Sequence, residues 1–113
     1  IMHLGSMAIS GQTTSNNYKH ILLNNGSHDS VGGQPTVGFD INFGDLAISL
    51  GYKVIDHPQD QEISYSIKQL LQEKGPAFLE LKTLPGSRSD LGRPTSTPKE
   101  NKKLFMQNSM QPN

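Results

Sequence analysis

Two adjacent asparagines, Asn24 and Asn25, follow the apolar run Ile21-Leu22-Leu23 and begin a polar loop that is rich in glycine. Three consecutive aliphatic residues bounded by turn formers predict a buried strand, here over residues 18–23. A strand that ends in Asn-Asn-Gly brings side-chain amide oxygens and backbone carbonyls to the carboxyl edge of a sheet, where open α/β sheets bind ligands. The alternative is an ordinary turn, because Asn and Gly both tolerate positive φ.

His28 and Asp29 are neighbours in this loop. A histidine titrates close to neutral pH, so the pair could relay a proton near a substrate, and both residues are weak catalytic candidates. The alternative is a loop histidine that is hydrogen-bonded to the carboxylate beside it. The remaining histidines, His3, His20 and His57, lack the spacing of zinc ligands.

Apolar residues recur with helix or strand spacing along the rest of the chain. The clearest helix begins at Phe43, with Asn42 as its predicted N-cap and Gly51 just beyond its end. The predicted elements are strands at 18–23, 52–55 and 77–83, helices at 1–11, 43–50 and 60–74 (the last capped by Asp60), and a short helix from Pro98 to Met106. Alternating strands and helices predict the α/β class, with a parallel sheet flanked by helices.

The composition narrows the classes of function. The chain has 113 residues, no cysteine, and a net charge of zero from ten basic and ten acidic residues. A balanced charge does not favour a nucleic-acid-binding protein, and the lack of cysteine excludes disulfides and thiolate metal sites. No signal peptide or apolar run long enough to cross a membrane is visible, so we expect a cytoplasmic protein.

Two blocks of the sequence together resemble a known family. The run from Leu23 to Thr36, together with the block from Gly86 to Pro94, is similar to the phosphonopyruvate decarboxylases, which are thiamin diphosphate-dependent enzymes. An apolar strand that ends in Asn-Asn is also the end of the thiamin diphosphate signature, which begins with a Gly-Asp-Gly triplet. The resemblance extends over nearly the whole chain, to about Met106.

The resemblance implies a partial diphosphate-binding domain over residues 1–86 and a polar, proline-containing tail over residues 87–113. The implied cofactors are thiamin diphosphate and Mg²⁺, with the Asn25 side chain and the Ser27 carbonyl as metal ligands. A neutral amide oxygen suits this site, because it coordinates the cation without adding negative charge beside a diphosphate. The implied cofactor-binding residues are Asn24, Asn25, Gly26, Ser27, Ser30, Val31 and Gly32.

The implied activity is the decarboxylation of 3-phosphonopyruvate to phosphonoacetaldehyde and CO₂. Arg88 and Arg93 are weak candidates for binding the phosphonate, since arginine recognises phosphate-like groups with two parallel hydrogen bonds. Because Asp90 lies between them, an ion pair with Asp90 is the alternative. A decarboxylase of sulfopyruvate or of another 2-keto acid is the alternative, because it would bind the metal and the diphosphate in the same way.

The chain departs from the family pattern in two ways. It contains no Gly-Asp-Gly triplet, so the carboxylate that would bind Mg²⁺ is missing, and it contains no separate pyrimidine-binding domain. Its start at Ile1 rather than at a methionine suggests a fragment. The resemblance also implies a pyrimidine-binding domain or subunit as partner, in an enzyme that is a homo-oligomer when intact. We therefore expect this chain alone to be inactive, and a non-catalytic remnant or subunit is the alternative to an enzyme segment.

Overall fold

A computed structural model describes residues 3–109 of the chain. None of the helices in that range combines the length and the apolar character needed to cross a membrane. The helices are α1 (Leu4–Gly11), α2 (Phe43–Ser49), α3 (Ile63–Gln72) and α4 (Pro98–Ser109). The strands are β1 (Lys19–Asn24), β2 (Ser27–His28), β3 (Gln34–Pro35), β4 (Lys53–Ile55) and β5 (Ala77–Lys82).

The main sheet has three strands in the order β1-β5-β4, and both pairings are parallel. The last strand of the sequence is therefore the central strand of the sheet. Leu79 of β5 lies opposite Ile21 of β1 on one side and Ile55 of β4 on the other. The parallel α/β fold predicted from the alternation of elements is confirmed.

Side chains of β5 alternate between two hydrophobic clusters, one on each face of the sheet. Phe78 belongs to the cluster that contains Met7 of α1 and Phe43 and Ala47 of α2, together with Tyr52. Ala77, Leu79 and Leu81 point to the opposite face of the sheet, where they pack with Leu70 of α3. The short sheet is therefore held between α1 and α2 on one face and α3 on the other.

The predicted boundaries of the helices are close to the observed ones, with one correction. Asn42 is the N-cap of α2, since its side-chain oxygen accepts a hydrogen bond from the Asp45 N–H at 3.0 Å. Gly51, with a φ of 96°, follows this helix in the left-handed conformation. The prediction of Asp60 as the cap of α3 is wrong: the helix begins at Ile63, and Glu62 occupies the N-cap position without a capping hydrogen bond. Pro58, Asp60 and Gln61 form a turn instead.

The predicted N-terminal helix is observed from Leu4, while Ile1 and Met2 lie outside the described residues. The predicted C-terminal helix is observed as α4, in which no residue is buried. Thr97 and Glu100 form a capping box at its start, because each side chain accepts a hydrogen bond from the backbone N–H of the other. The division of the chain at residues 86 and 87 stays a prediction.

Candidate functional site

The loop between β1 and α2 folds into a small two-stranded unit rather than an extended connection. Residues Ser27–His28 pair antiparallel with Gln34–Pro35, and a single 3₁₀ turn at Asp29–Val31 joins them. Gly26 begins this unit in the left-handed conformation, at a φ of 64°. A side chain at Gly26 would also overlap the ring of Phe39. Glycine is therefore required at position 26 for two reasons: the backbone has a positive φ, and there is no room for a side chain.

Asn25 and Ser27, the two predicted metal ligands, are joined by a direct hydrogen bond. The Asn25 side-chain oxygen accepts from the Ser27 N–H at 3.0 Å, and the Asn25 side-chain nitrogen donates to Asp29 at 2.8 Å. The Ser27 hydroxyl donates to the other carboxylate oxygen of Asp29 at 2.8 Å. The asparagine amide is thus held in one orientation by partners at both ends.

Asp29 organises the loop. Besides Asn25 and Ser27, its carboxylate accepts a hydrogen bond at 2.9 Å from the backbone N–H of Gly86, which lies beyond β5. The Gly86 N–H first, and then the Ser27 hydroxyl, lower the pKa of Asp29 below its ordinary value. Among the hydrogen bonds of residues 3–109, none joins His28 to Asp29. The alternative interpretation, a hydrogen bond between His28 and the neighbouring carboxylate, is therefore not observed, and a catalytic role for either residue stays a prediction.

A cavity of about 350 Å³ lies beside the turn formed by residues 25–27. Its polar wall includes Asn25, Ser27, His28 and Thr36. The rest of the wall is mostly apolar and comes from the start of α1, the end of β1, the segment before α2, and α2 itself: Leu4, Leu23, Val37, Gly38, Ile41, Phe43 and Leu46. Within the described part of the chain, no aspartate or glutamate lines this cavity.

Asn24, which the resemblance places in the cofactor site, faces the protein. Its side chain is only 6% exposed and makes hydrogen bonds to Gly38, Glu80 and Gly26. These contacts give Asn24 a supporting role in the turn, and its predicted contact with a cofactor stays a prediction. The sequence held no local signal for this role, because Glu80 is 56 residues away and reaches Asn24 only through the pairing of β1 with β5.

The remaining predicted cofactor residues lie on the 3₁₀ turn. Ser30 and Val31 are exposed, with Val31 at 64%, and Gly32 ends the turn with a φ of 93°. None of these residues lines the cavity that contains Asn25 and Ser27. Their predicted contact with a cofactor stays a prediction.

Arg88 and Arg93 lie in the exposed segment after β5. Arg88 forms an ion pair with Asp90 through two parallel hydrogen bonds of 2.9 and 2.8 Å. This pair raises the pKa of Arg88 and lowers that of Asp90. The structure therefore shows the local ion pair that was the alternative for Arg88, while phosphonate binding by either arginine stays a prediction.

Two larger clefts, of about 620 and 630 Å³, lie along β4. The first is lined mainly by β4 and α3, and the second includes His57, Glu80 and Lys82. Neither cleft contains Asn25 or Ser27. The smaller cavity is the candidate site, because it is lined by Asn25 and Ser27, which follow the carboxyl end of β1.

Comparison with known proteins supports the resemblance seen in the sequence. No family model matches the chain. A curated protein named phosphonopyruvate decarboxylase from Streptomyces viridochromogenes is 35% identical over 106 residues, which are 93% of this chain and 27% of the relative. A protein of the same name from Streptomyces hygroscopicus is 31% identical over 113 residues, 99% of this chain and 28% of the relative. The chain is thus related, over nearly all of its length, to slightly more than a quarter of a phosphonopyruvate decarboxylase.

Proposed function

We propose that this chain supplies the metal–diphosphate anchor of a thiamin diphosphate-dependent decarboxylase that acts on 3-phosphonopyruvate. The observation that carries the proposal is the placement of Asn25 and Ser27 on one cavity at the carboxyl end of β1. The names of the two relatives support the substrate.

The oxygens of both residues fit the neutral part of a Mg²⁺ ligand set. The Asn25 oxygen accepts one hydrogen bond, from the Ser27 N–H, and an amide oxygen has a second lone pair that can bind a cation. The Thr36 N–H donates to the Gly26 carbonyl, so Ser27 and Pro35 form the next, non-hydrogen-bonded pair, in which the Ser27 carbonyl points away from β3. Because Mg²⁺ prefers oxygen ligands and keeps several waters, two such oxygens can form part of its shell.

The start of α1 supports an anion at the same place. Leu4, the first residue of that helix, lines the cavity together with Asn25 and Ser27. The N-cap residue, His3, makes no side-chain capping hydrogen bond. Backbone N–H groups at a helix start attract phosphate oxygens, so a diphosphate near Leu4 would have donors as well as a cation.

Thiamin diphosphate, when bound, supplies the electron sink that lets a 2-keto acid lose CO₂. In the proposed reaction the bond between the carboxylate and the keto carbon breaks, CO₂ leaves, and a proton replaces it to give phosphonoacetaldehyde. Asn25 and Ser27 hold and orient the diphosphate end, and Asp29 keeps the Asn25 amide in place. The proposal includes a pyrimidine-binding domain or subunit as partner, in a homo-oligomeric enzyme.

The anchor can be tested on the 113-residue chain with Mn²⁺ as a paramagnetic probe for Mg²⁺ in the presence of thiamin diphosphate. We expect weak binding, with a Kd of roughly millimolar or higher, since no carboxylate from residues 3–109 lines the cavity. The NMR signals of the Asn25 and Ser27 amides should broaden first.

Asn25→Ala should remove this selective broadening, while the control Asn16→Ala, at an exposed asparagine, should not. Broadening centred elsewhere, or unaffected by the change at Asn25, would contradict the anchor. Micromolar binding by this chain alone would contradict the need for an outside carboxylate.

The substrate can be tested separately in a chimera. This chain would replace the corresponding 28% of the Streptomyces hygroscopicus relative, with folding verified by circular dichroism. We expect the folded chimera to release CO₂ from 3-phosphonopyruvate faster than from sulfopyruvate, and Asn25→Ala to lower both rates. Equal rates with the two acids would refute the proposed specificity, and a folded but inactive chimera would favour a non-catalytic role.

A further inference from the structure

Asn24 connects three separate segments through one side chain. Its nitrogen donates to the Gly38 carbonyl and to the Glu80 carboxylate, each at 2.7 Å. Its oxygen accepts from the Gly26 N–H at 3.2 Å. An asparagine amide has two donor hydrogens, and here each has its own acceptor. The Asn24 side chain therefore holds the Asn25–Ser27 turn in place relative to β5 and to the segment before α2.

The backbone of Asn24 is fixed as well. Its carbonyl accepts a hydrogen bond at 2.8 Å from the Thr83 N–H, just beyond β5. A Cβ atom at position 38 would lie 2.7 Å from the side-chain oxygen of Asn24. The segment before α2 can therefore approach Asn24 this closely only with glycine at position 38. Asn24 thus has little freedom to move unless one of its partners changes.

From these contacts we infer that Glu80 is a positioning residue for the Asn25–Ser27 turn. Glu80 lies on the central strand β5, directly opposite Leu22 of β1, and points to the same face as Asn24. Its carboxylate can only accept hydrogen bonds when ionised, so it requires the amide nitrogen of Asn24, rather than the oxygen, to face it. The oxygen is then directed toward the Gly26 N–H.

A buried amide bonded to an ionised group is held more firmly than one bonded only to neutral groups. Glu80 supplies the only charged partner of the Asn24 side chain among the described residues. Neither Glu80 nor Asn24 lines the cavity with Asn25 and Ser27, so Glu80 would act through Asn24 and not by touching a ligand. The inference rests on the proposed role of the turn, but the positioning itself is observable without any ligand.

The test is amide hydrogen exchange, measured by NMR on the 113-residue chain. In Glu80→Ala we expect exchange at the Gly26 and Ser27 amides to increase about tenfold, because the turn loses a charged hydrogen-bond partner. The β5 core amides of Phe78 and Leu79 should change much less. Glu80→Gln keeps an oxygen that can accept from Asn24, so it should remain within about threefold of the original protein.

Glu62→Ala, at an exposed carboxylate that caps nothing, is the control and should leave exchange at the turn unchanged. Unchanged exchange at Gly26 and Ser27 in Glu80→Ala would overturn the inference. Equal acceleration of turn and core amides would also overturn it, because Glu80 would then stabilise the whole fold rather than position the turn. Failure of Mn²⁺ to broaden the Asn25 and Ser27 signals would count against the proposed function alone.

Discussion

The carboxylate of Asp29 accepts a hydrogen bond at 2.9 Å from the backbone N–H of Gly86, a residue 57 positions later in the sequence. Asp29 thereby connects the loop after β1 to the segment after β5. Asn24, the last residue of β1, makes a second connection from the buried side, to Glu80 within β5 and to Thr83 just beyond it. The candidate site is therefore supported by β5 in the interior and by the segment after β5 at the surface.

The connection through Asp29 should depend on pH. Hydrogen bonds from Gly86 and Ser27 lower the pKa of Asp29, so its stabilising contribution is fully present above the unfolded-state pKa of about 3.9 and is lost as the pH falls toward the folded-state pKa. We expect the Gly86 amide signal to shift as the pH is lowered from 6 to 2, with its midpoint below about 3.9. Asp29→Asn should remove this transition, and a midpoint above that of an unfolded aspartate would contradict the prediction.

Gly26 and Gly33 form a matched pair for separating backbone strain from steric overlap. Both have positive φ, at 64° and 71°, but only at Gly26 would a side chain meet Phe39. Gly33→Ala should cost about 1 kcal/mol in the free energy of unfolding, from conformation alone. Gly26→Ala should cost roughly 2 kcal/mol more, because the Phe39 ring must also move. Urea denaturation would measure both, and equal losses would contradict the predicted overlap.

His20 should make the stability of the fold depend on pH near neutrality. Its ring lies between the rings of Tyr18, Tyr52 and Phe78, at centroid distances of 6.4, 5.8 and 5.4 Å, and its Nδ1 is buried without a hydrogen-bond partner among residues 3–109. Burial lowers the pKa of His20, so the protonated form favours the unfolded chain. Stability should be constant above the unfolded-state pKa of about 6.5 and should fall as the pH drops below it.

The measurement is urea denaturation at pH 7.5 and 5.5, a range above the titration of most carboxylates. His20→Phe should show a smaller loss of stability between these two pH values than the original protein. His3→Phe, at an exposed histidine, should lose as much as the original protein does. A pH dependence that survives in His20→Phe would assign the effect to another group.

Leu70 and Leu71 are adjacent on α3 but should differ sharply in their contribution to stability. Leu70 is 0% exposed and packs against β5, whereas Leu71 is 66% exposed. Leu70→Ala should cost about 2–5 kcal/mol in the free energy of unfolding, because it leaves a cavity in the core. Leu71→Ala should change stability by no more than about 0.5 kcal/mol. Similar losses for the two variants would contradict the observed packing of α3.

Much of the fold could be predicted because local patterns specify its elements. The apolar spacing in residues 43–50 predicts the buried face of α2, and Asn42 and Gly51 mark the ends of that helix. In α3 only Ile67 and Leu70 pack in the core, whereas Ile63 and Leu71, which have the same apolar spacing, are exposed. The start of α3 was less predictable, since Asp60 has the chemistry of a cap but lies in a turn of its own. The pairing of Ser27–His28 with Gln34–Pro35 was not predicted, because strands of two residues carry no periodicity.

The sequence by itself determined the residue types of the site: an apolar strand that ends in two asparagines, a glycine, and a serine whose carbonyl follows. It also determined the similarity to the phosphonopyruvate decarboxylases, since that similarity depends only on the order of residues. Only the tertiary structure decided that the two asparagines have different surroundings. Side chains alternate at a strand end, so Asn24 points inward and Asn25 lines the cavity.

The tertiary structure also decided the partners of these residues. Glu80 and Gly86 are 56 and 57 positions away from the residues that they contact, and they reach the site because β5 takes the central position beside β1. The order of parallel strands is set by how the helices cover both faces of the sheet. That is a property of the packed chain, and no local run of residues contains it.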